Sequence, residues 1–137
     1  MFTRIAHVCL TAKDLHASIA YYAKLGCTIR FKFTRQGADY GVYLQMAPGS
    51  FIEIFEDKNR GPVVVGGIAH FCLETASLDS LMEKLTAAGV PFTPDKLGCD
   101  HTRQIWLADP DGNQFEVHQY TDKSMQLRGG GVVEADW

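Results

Sequence analysis

No apolar run in this chain approaches the ~20 residues that a membrane-spanning helix needs, so nothing in the sequence reads as a span. A secretory leader is also missing from the start as given. Met1-Phe2-Thr3-Arg4 leads directly into a strand-like apolar segment without an intervening h-region, and the location expected is the cytoplasm. Positive charge is in short supply: 13 Lys and Arg against 16 Asp and Glu give a net charge of −3, with no basic patch to offset it, which argues against nucleic acid as a partner. Cysteine is sparse and unsuited to a redox motif. Of four cysteines none forms a CxxC pair, and without an export signal they read as reduced thiols packed as small apolar groups. The remaining composition, 46% hydrophobic and 21% charged over 137 residues, is that of a globular chain able to bury one core but short for two independent ones. Residues 1–137 are therefore expected to form a single domain.

The chain is internally repeated. Ile5-Ala6-His7-Val8-Cys9-Leu10 returns with one change as Ile68-Ala69-His70-Phe71-Cys72-Leu73, an offset of 70 − 7 = 63 residues. The same offset carries Glu53, within Phe51-Ile52-Glu53-Ile54-Phe55, onto Glu116, within Gln114-Phe115-Glu116-Val117-His118, since 116 − 53 = 63. Each copy thus places one His and one Glu at matching positions.

Each copy also reads βαβββ. Strand-favouring residues 4–10 precede Asp14, a helix N-cap, and an apolar stripe through Leu15, Ile19, Tyr22 and Leu25 that Gly26 ends. In the second copy Ser77 is the cap, Leu78, Leu81, Met82 and Leu85 the stripe, and Gly89 the stop. Strands are expected at Thr28 to Phe33, Tyr40 to Met46 and Phe51 to Phe55, then at Val90 to Pro94, Arg103 to Ala108 and Gln114 to Tyr120. Tight turns at Ala47-Pro48-Gly49-Ser50 and Asp109-Pro110-Asp111-Gly112-Asn113 precede the last strand of each copy. The first module runs from about residue 4 to 60 and the second from about 67 to 120. The breakpoint lies between Arg60 and Gly67, and the tail 121–137, with Gly129-Gly130-Gly131, reads as an irregular wrap.

Strand parity assigns faces. His7 shares a face with Ile5 and Cys9, and Glu53 shares one with Phe51 and Phe55, while Val8, Leu10, Ile52 and Ile54 point the other way and suit a floor for the helix of the same copy. If two such sheets oppose each other about a pseudo-twofold axis, their helix-free faces enclose two His and two Glu. An ionised carboxylate on an apolar strand face is costly to bury unless it is paired or metal-bound. A pair of structural His–Glu hydrogen bonds is the plain alternative, but the set of four points to a metal site of His7, Glu53, His70 and Glu116. Mixed N and O donors suit a divalent Zn, Ni, Co, Mn or Fe ion, and the spacing does not choose among them. Cys9 and Cys72 read as packing in the cavity wall and not as ligands.

On the two Ile-Ala-His-x-Cys-Leu segments and the Asp109-to-Glu116 turn and strand, the chain resembles the vicinal oxygen chelate superfamily over residues 4 to about 120. That superfamily includes glyoxalase I, bleomycin-resistance proteins, fosfomycin-resistance enzymes, methylmalonyl-CoA epimerase and extradiol dioxygenases. The resemblance implies an α+β fold in which two tandem βαβββ modules form a cupped, barrel-like mixed sheet with helices outside. The order His7, Glu53, His70, Glu116 is most similar to bacterial glyoxalase I, which implies a metal-dependent lyase or isomerase. Such an enzyme moves a proton between adjacent carbons of a small substrate chelated through vicinal oxygens, with Glu116 or Glu53 as the base and Glu116 favoured. Two positions depart from glyoxalase I. Thr11 stands where an Arg commonly binds the glutathione carboxylate and Asp57 where an Asn does, so glutathione is not expected to carry over.

The alternatives are an extradiol-type dioxygenase and a non-catalytic binding protein of the bleomycin-resistance kind. Tyr43 and Trp106, also 63 apart, are expected to face the cavity as substrate-pocket residues together with His118 and the loop residue His101, while His16 reads as helix surface. The resemblance further implies a homodimer, on whose partner the Trp137 tail could pack, with a small molecule as the other partner.

Overall fold

The computed structural model describes residues 7–59 and 70–128. The first residues of both repeat segments, the breakpoint at 60–67 and the tail beyond Arg128 lie outside these. The element order is β1 (His7–Ala12), α1 (Leu15–Lys24), β2 (Thr28–Arg35), β3 (Ala38–Ala47), β4 (Ser50–Glu56), β5 (Phe71–Glu74), α2 (Leu78–Ala87), β6 (Lys96–Leu97), β7 (Arg103–Ala108), β8 (Gln114–Gln119) and α3 (Met125–Arg128). Each repeat is therefore βαβββ, and each builds a mixed four-stranded sheet, β1-β4-β3-β2 and β5-β8-β7-β6. The first and last strands of a repeat pair in parallel, β1 with β4 and β5 with β8, and the remaining neighbours are antiparallel. Among the described residues no helix is long and apolar enough to cross a membrane.

The chain separates into two compact units, one of residues 1–67 together with 109–113, the other of residues 68–108 and 114–137. In the first, α1 packs on β3 and β4. Leu15 and Tyr22 from the helix meet Val42, Leu44, Ile52 and Ile54 from the sheet, all nearly fully buried. Tyr22 directs its hydroxyl to Asp109 Oδ2 at 3.1 Å. That buried carboxylate also accepts from the backbone N–H groups of Asp111 and Asn113 and from Asn113 Nδ2 at 2.8–3.0 Å. Asp111 in turn accepts from the Lys13 N–H at 2.8 Å and from Ser18 Oγ at 3.2 Å. In the second unit the equivalent apolar set is Leu78, Leu85, Val90, Ile105, Leu107, Phe115 and Val117.

The 63-residue offset extends to the fittings. Asp14 caps α1 by accepting from Ala17 N at 3.0 Å, and Ser77 caps α2 by accepting from Ser80 N at 3.2 Å. The Leu15 N–H donates to Glu56 Oε1, and 63 residues later the Leu78 N–H donates to Gln119 Oε1, so in both copies the last strand supplies a side chain to the helix start. Gly26 and Gly89 take positive φ, +87° and +65°, just past the C-cap residues Leu25 and Ala88, which only glycine does without strain.

Two sequence expectations are corrected. No strand forms over Val90 to Pro94: Pro91 and Pro94 lack the N–H that a ladder requires, Thr93 alone bonds to β7 through Trp106 O at 3.0 Å, and the edge strand shrinks to Lys96–Leu97. The start of the tail is not irregular either, because Ser124 closes one turn of helix, α3, by accepting from the Leu127 and Arg128 N–H groups.

Candidate metal and substrate site

Parity divides the side chains of both sheets as expected. In the first unit Cys9 lies opposite Glu53, and Glu53 opposite Tyr43, on the face away from α1. His7 Nε2 is 3.7 Å from Glu53 Oε2, and Tyr43 hydrogen-bonds to the other ring nitrogen, Nδ1, at 3.2 Å. The second unit repeats this pairing, with His70 Nε2 at 3.7 Å from Glu116 Oε2. Trp106, the counterpart of Tyr43, stands edge-on to His70 with ring centroids 4.7 Å apart. Both histidines are thus oriented by an aromatic on β3 or β7, through a hydrogen bond in one copy and ring contact in the other.

The second unit adds a further imidazole. His118 follows Glu116 by two residues on β8, and its Nε2 lies 2.9 Å from Glu116 Oε2. That approach is not a directed hydrogen bond: Nε2 is buried and has no hydrogen-bond partner. Cys72, opposite Glu116 on β5, completes a group whose donor atoms Sγ, carboxylate O and imidazole N all lie within 4.8 Å of one another. Cys72 is exposed as a residue, yet desolvation of its sulfur and the negative charge of Glu116 push its thiol up to about 12. The repeat-based reading of Cys9 and Cys72 as packed thiols is therefore corrected, because both are exposed and only Cys27 is buried.

Glu116 and His118 lie on the wall of a cavity of about 790 Å³ within the second unit, which His70, Trp106, Lys96, Gln104 and Asp100 also line. Although desolvation opposes it, hydrogen bonds from Thr102 and Gln126 hold the Asp100 carboxyl below its usual range. Of the expected pocket residues, Trp106 and His118 line this cavity and Tyr43 stands beside His7 in the first unit. His101 does not line it. His101 occupies an exposed turn at φ +63°, where its carbonyl accepts from Thr121 Oγ1 and Ser124 Oγ. His16 is exposed on α1, as expected.

The donors suit a divalent cation. Two ligand atoms each ~2.1 Å from one ion sit about 3.0 Å apart at a right angle and about 3.4 Å apart at the tetrahedral angle. The 2.9 Å and 3.7 Å His–Glu separations bracket that range. The buried Nε2 of His118 meets Glu116 Oε2 without hydrogen-bond geometry, and an ion held by both atoms would satisfy it. Repetition did not reveal this residue, since 118 − 63 = 55 is Phe55 in the first copy. Its position on the Glu116 face, two residues along the strand, was the available signal.

The family model described as "Glyoxalase/Bleomycin resistance protein/Dioxygenase superfamily" matches residues 4–117. Among curated proteins, a virulence protein of Salmonella typhimurium is 28% identical over 85% of this chain and 84% of its own length. A trivalent organoarsenical cleaving enzyme of a Bacillus species is 28% identical over 90% of this chain and 76% of its own. A lactoylglutathione lyase of Schizosaccharomyces pombe is 27% identical over 83% of this chain and 44% of that longer protein. Among solved structures, a glyoxylase/bleomycin resistance protein/dioxygenase domain from Frankia superposes with a TM-score of 0.75 at 21% identity, over 94% of this chain and all of that one.

Proposed function

Because the chain belongs to the glyoxalase/bleomycin resistance protein/dioxygenase superfamily, we propose that it is a metal-dependent lyase or isomerase of the glyoxalase I type. Its substrate would be a small molecule with two neighbouring oxygens, between whose adjacent carbons a proton is moved. The observation that carries this reading is the recurrence of one His–Glu pair per unit at the same 3.7 Å separation. His7, Glu53, His70 and Glu116 would hold the cation, of the Zn, Ni, Co, Mn or Fe class. The quartet could be completed within one chain or between the two chains of a homodimer. When bound, the cation would supply Lewis-acid polarisation of the substrate oxygens.

The residues of the chain divide the remaining work. Glu116 is the base assigned to take up and return the proton, because its side chain is 10% exposed against 17% for Glu53 and it faces the cavity. His118, 2.9 Å from that carboxylate, positions it. Trp106 stands edge-on to His70 and orients its ring. Glutathione is not the expected substrate, since on the resemblance to glyoxalase I Asp57 and Thr11 stand where carboxylate-binding residues would be needed.

Metal analysis of protein purified without chelators tests this reading, followed by a turnover screen. The screen comprises 2-oxoaldehyde–thiol adducts, 2-hydroxyacyl thioesters, catechols and trivalent organoarsenicals. Glu116→Gln is expected to lower turnover about 10²–10⁴-fold while retaining part of the metal affinity. Full activity in both Glu116→Gln and Glu53→Gln would reject the assignment. Oxygen consumption with catechols would favour a dioxygenase. Ligand binding by metal-free protein without turnover would favour a binding protein.

A further inference from the structure

We infer that the second unit by itself carries a thiolate-containing cation position, formed by Cys72, Glu116 and His118, for a borderline or soft divalent ion of the Zn²⁺, Co²⁺ or Cd²⁺ class. The inference rests on the reading of Glu116 as a metal ligand but gives it different partners. The quartet draws on both units and offers only N and O, whereas this trio lies on two adjacent strands and includes sulfur.

Four observations support it. Cys72 and Glu116 are direct partners across the parallel β5/β8 ladder, and His118 is the next residue on the same face of β8, so backbone pairing alone brings three different donors together. Their donor atoms lie within 4.8 Å of one another, and the 2.9 Å between His118 Nε2 and Glu116 Oε2 is close to the ~3.0 Å that two ligands at a right angle about one ion require. His118 Nε2 is buried and approaches Glu116 Oε2 at 2.9 Å without hydrogen-bond geometry, an arrangement that an ion held by both atoms would satisfy. The cavity that Glu116 and His118 line leaves room for water or substrate on the remaining coordination positions.

The trio is not a relic of duplication. The first unit keeps the thiol and the carboxylate, Cys9 and Glu53, but has Phe55 where the imidazole would be. The Cys72 thiol makes a long contact, 3.5 Å, to Leu73 O and also interacts with the Glu116 carboxylate and the His118 backbone, so its sulfur already sits among the groups of the trio. Binding exchanges the Sγ–H bond for an Sγ–metal bond and releases one proton to solvent, with no change of oxidation state. Affinity is accordingly expected to rise with pH. Since His70 and His118 both approach Oε2 of Glu116, an ion at the trio withdraws that oxygen from the quartet.

The test is a Co²⁺ titration of the full-length, metal-free protein, followed by near-ultraviolet absorption. The wild type should develop an intense sulfur-to-cobalt charge-transfer band. Cys72→Ser should lose the band and bind at least tenfold more weakly, and His118→Gln should bind similarly weakly. His7→Ala and Cys99→Ser should keep the band, and circular dichroism of each variant checks its fold. Co²⁺ binding without the band, or a band that survives Cys72→Ser, overturns the trio and leaves the quartet standing. Loss of the band in His7→Ala overturns a self-contained position in the second unit. Absence of Co²⁺ binding altogether overturns both readings.

Discussion

At the scale of single residues, two buried groups of the first unit make its stability sensitive to change. Tyr22 is fully buried and its hydroxyl donates to Asp109, itself buried. Tyr22→Phe keeps the ring and removes one of the donors to that carboxylate, so a loss of about 1–3 kcal/mol is expected, read from urea denaturation. Cys27 is buried, and desolvation pushes its thiol up to about 11 from an ordinary value of 9.0. The neutral thiol is the form the fold prefers, so its contribution is fully present below pH ~9 and is lost as pH rises through about 11. A shift of that size corresponds to about 2–3 kcal/mol. The urea midpoint should therefore fall more steeply between pH 9 and 11 in the wild type than in Cys27→Ala, and equal slopes would reject this account. The His7–Glu53 and His70–Glu116 pairings were legible because the pair recurs in each copy and strand parity puts both members on one face. Cys72 and His118 were not legible as a group, because a repeat reports only what both copies share.

Among the elements, the two helices were the most legible, since caps, stripes and stops are local chemistry. Asp14→Ala and Ser77→Ala should each cost about 0.5–2 kcal/mol, measured by thermal or urea unfolding. The edge of the second sheet was the least legible. Its residues Val90 to Pro94 have suitable side chains, but Pro91 and Pro94 remove two backbone donors, and ladder hydrogen bonds override side-chain preference there. On β3, a Cβ at Gly41 would collide with the Phe55 ring and come within 2.9 Å of Ile54 O, a backbone atom that cannot swing away. Gly41→Ala is expected to destabilise by about 1–3 kcal/mol. Because Phe55 is on the face of Glu53, weaker metal binding should accompany the loss.

For the molecule as a whole, the duplicated βαβββ pattern and the α+β class followed from the sequence because a 63-residue offset constrains every element at once. How completely a site is built within one chain is a property of assembly, which strand parity does not encode. A homodimer is part of the functional proposal, and sedimentation across a range of concentrations tests it. A dimer that dissociates together with loss of turnover would place catalysis in the pair, and a monomer active at every concentration would place it in the single chain.

The turn at 109–113 bears on how the chain comes to be folded. It is translated after most of the second repeat, yet it belongs to the first unit, where Asp109 receives Tyr22 and Asp111 receives Ser18 and Lys13. A nascent chain of 67 residues still lacks the acceptors for a buried hydroxyl and a helix start. The first half emerging from the ribosome therefore lacks these partners until the second is nearly made, and a first repeat produced alone is expected to be less stable than the same residues in the whole chain.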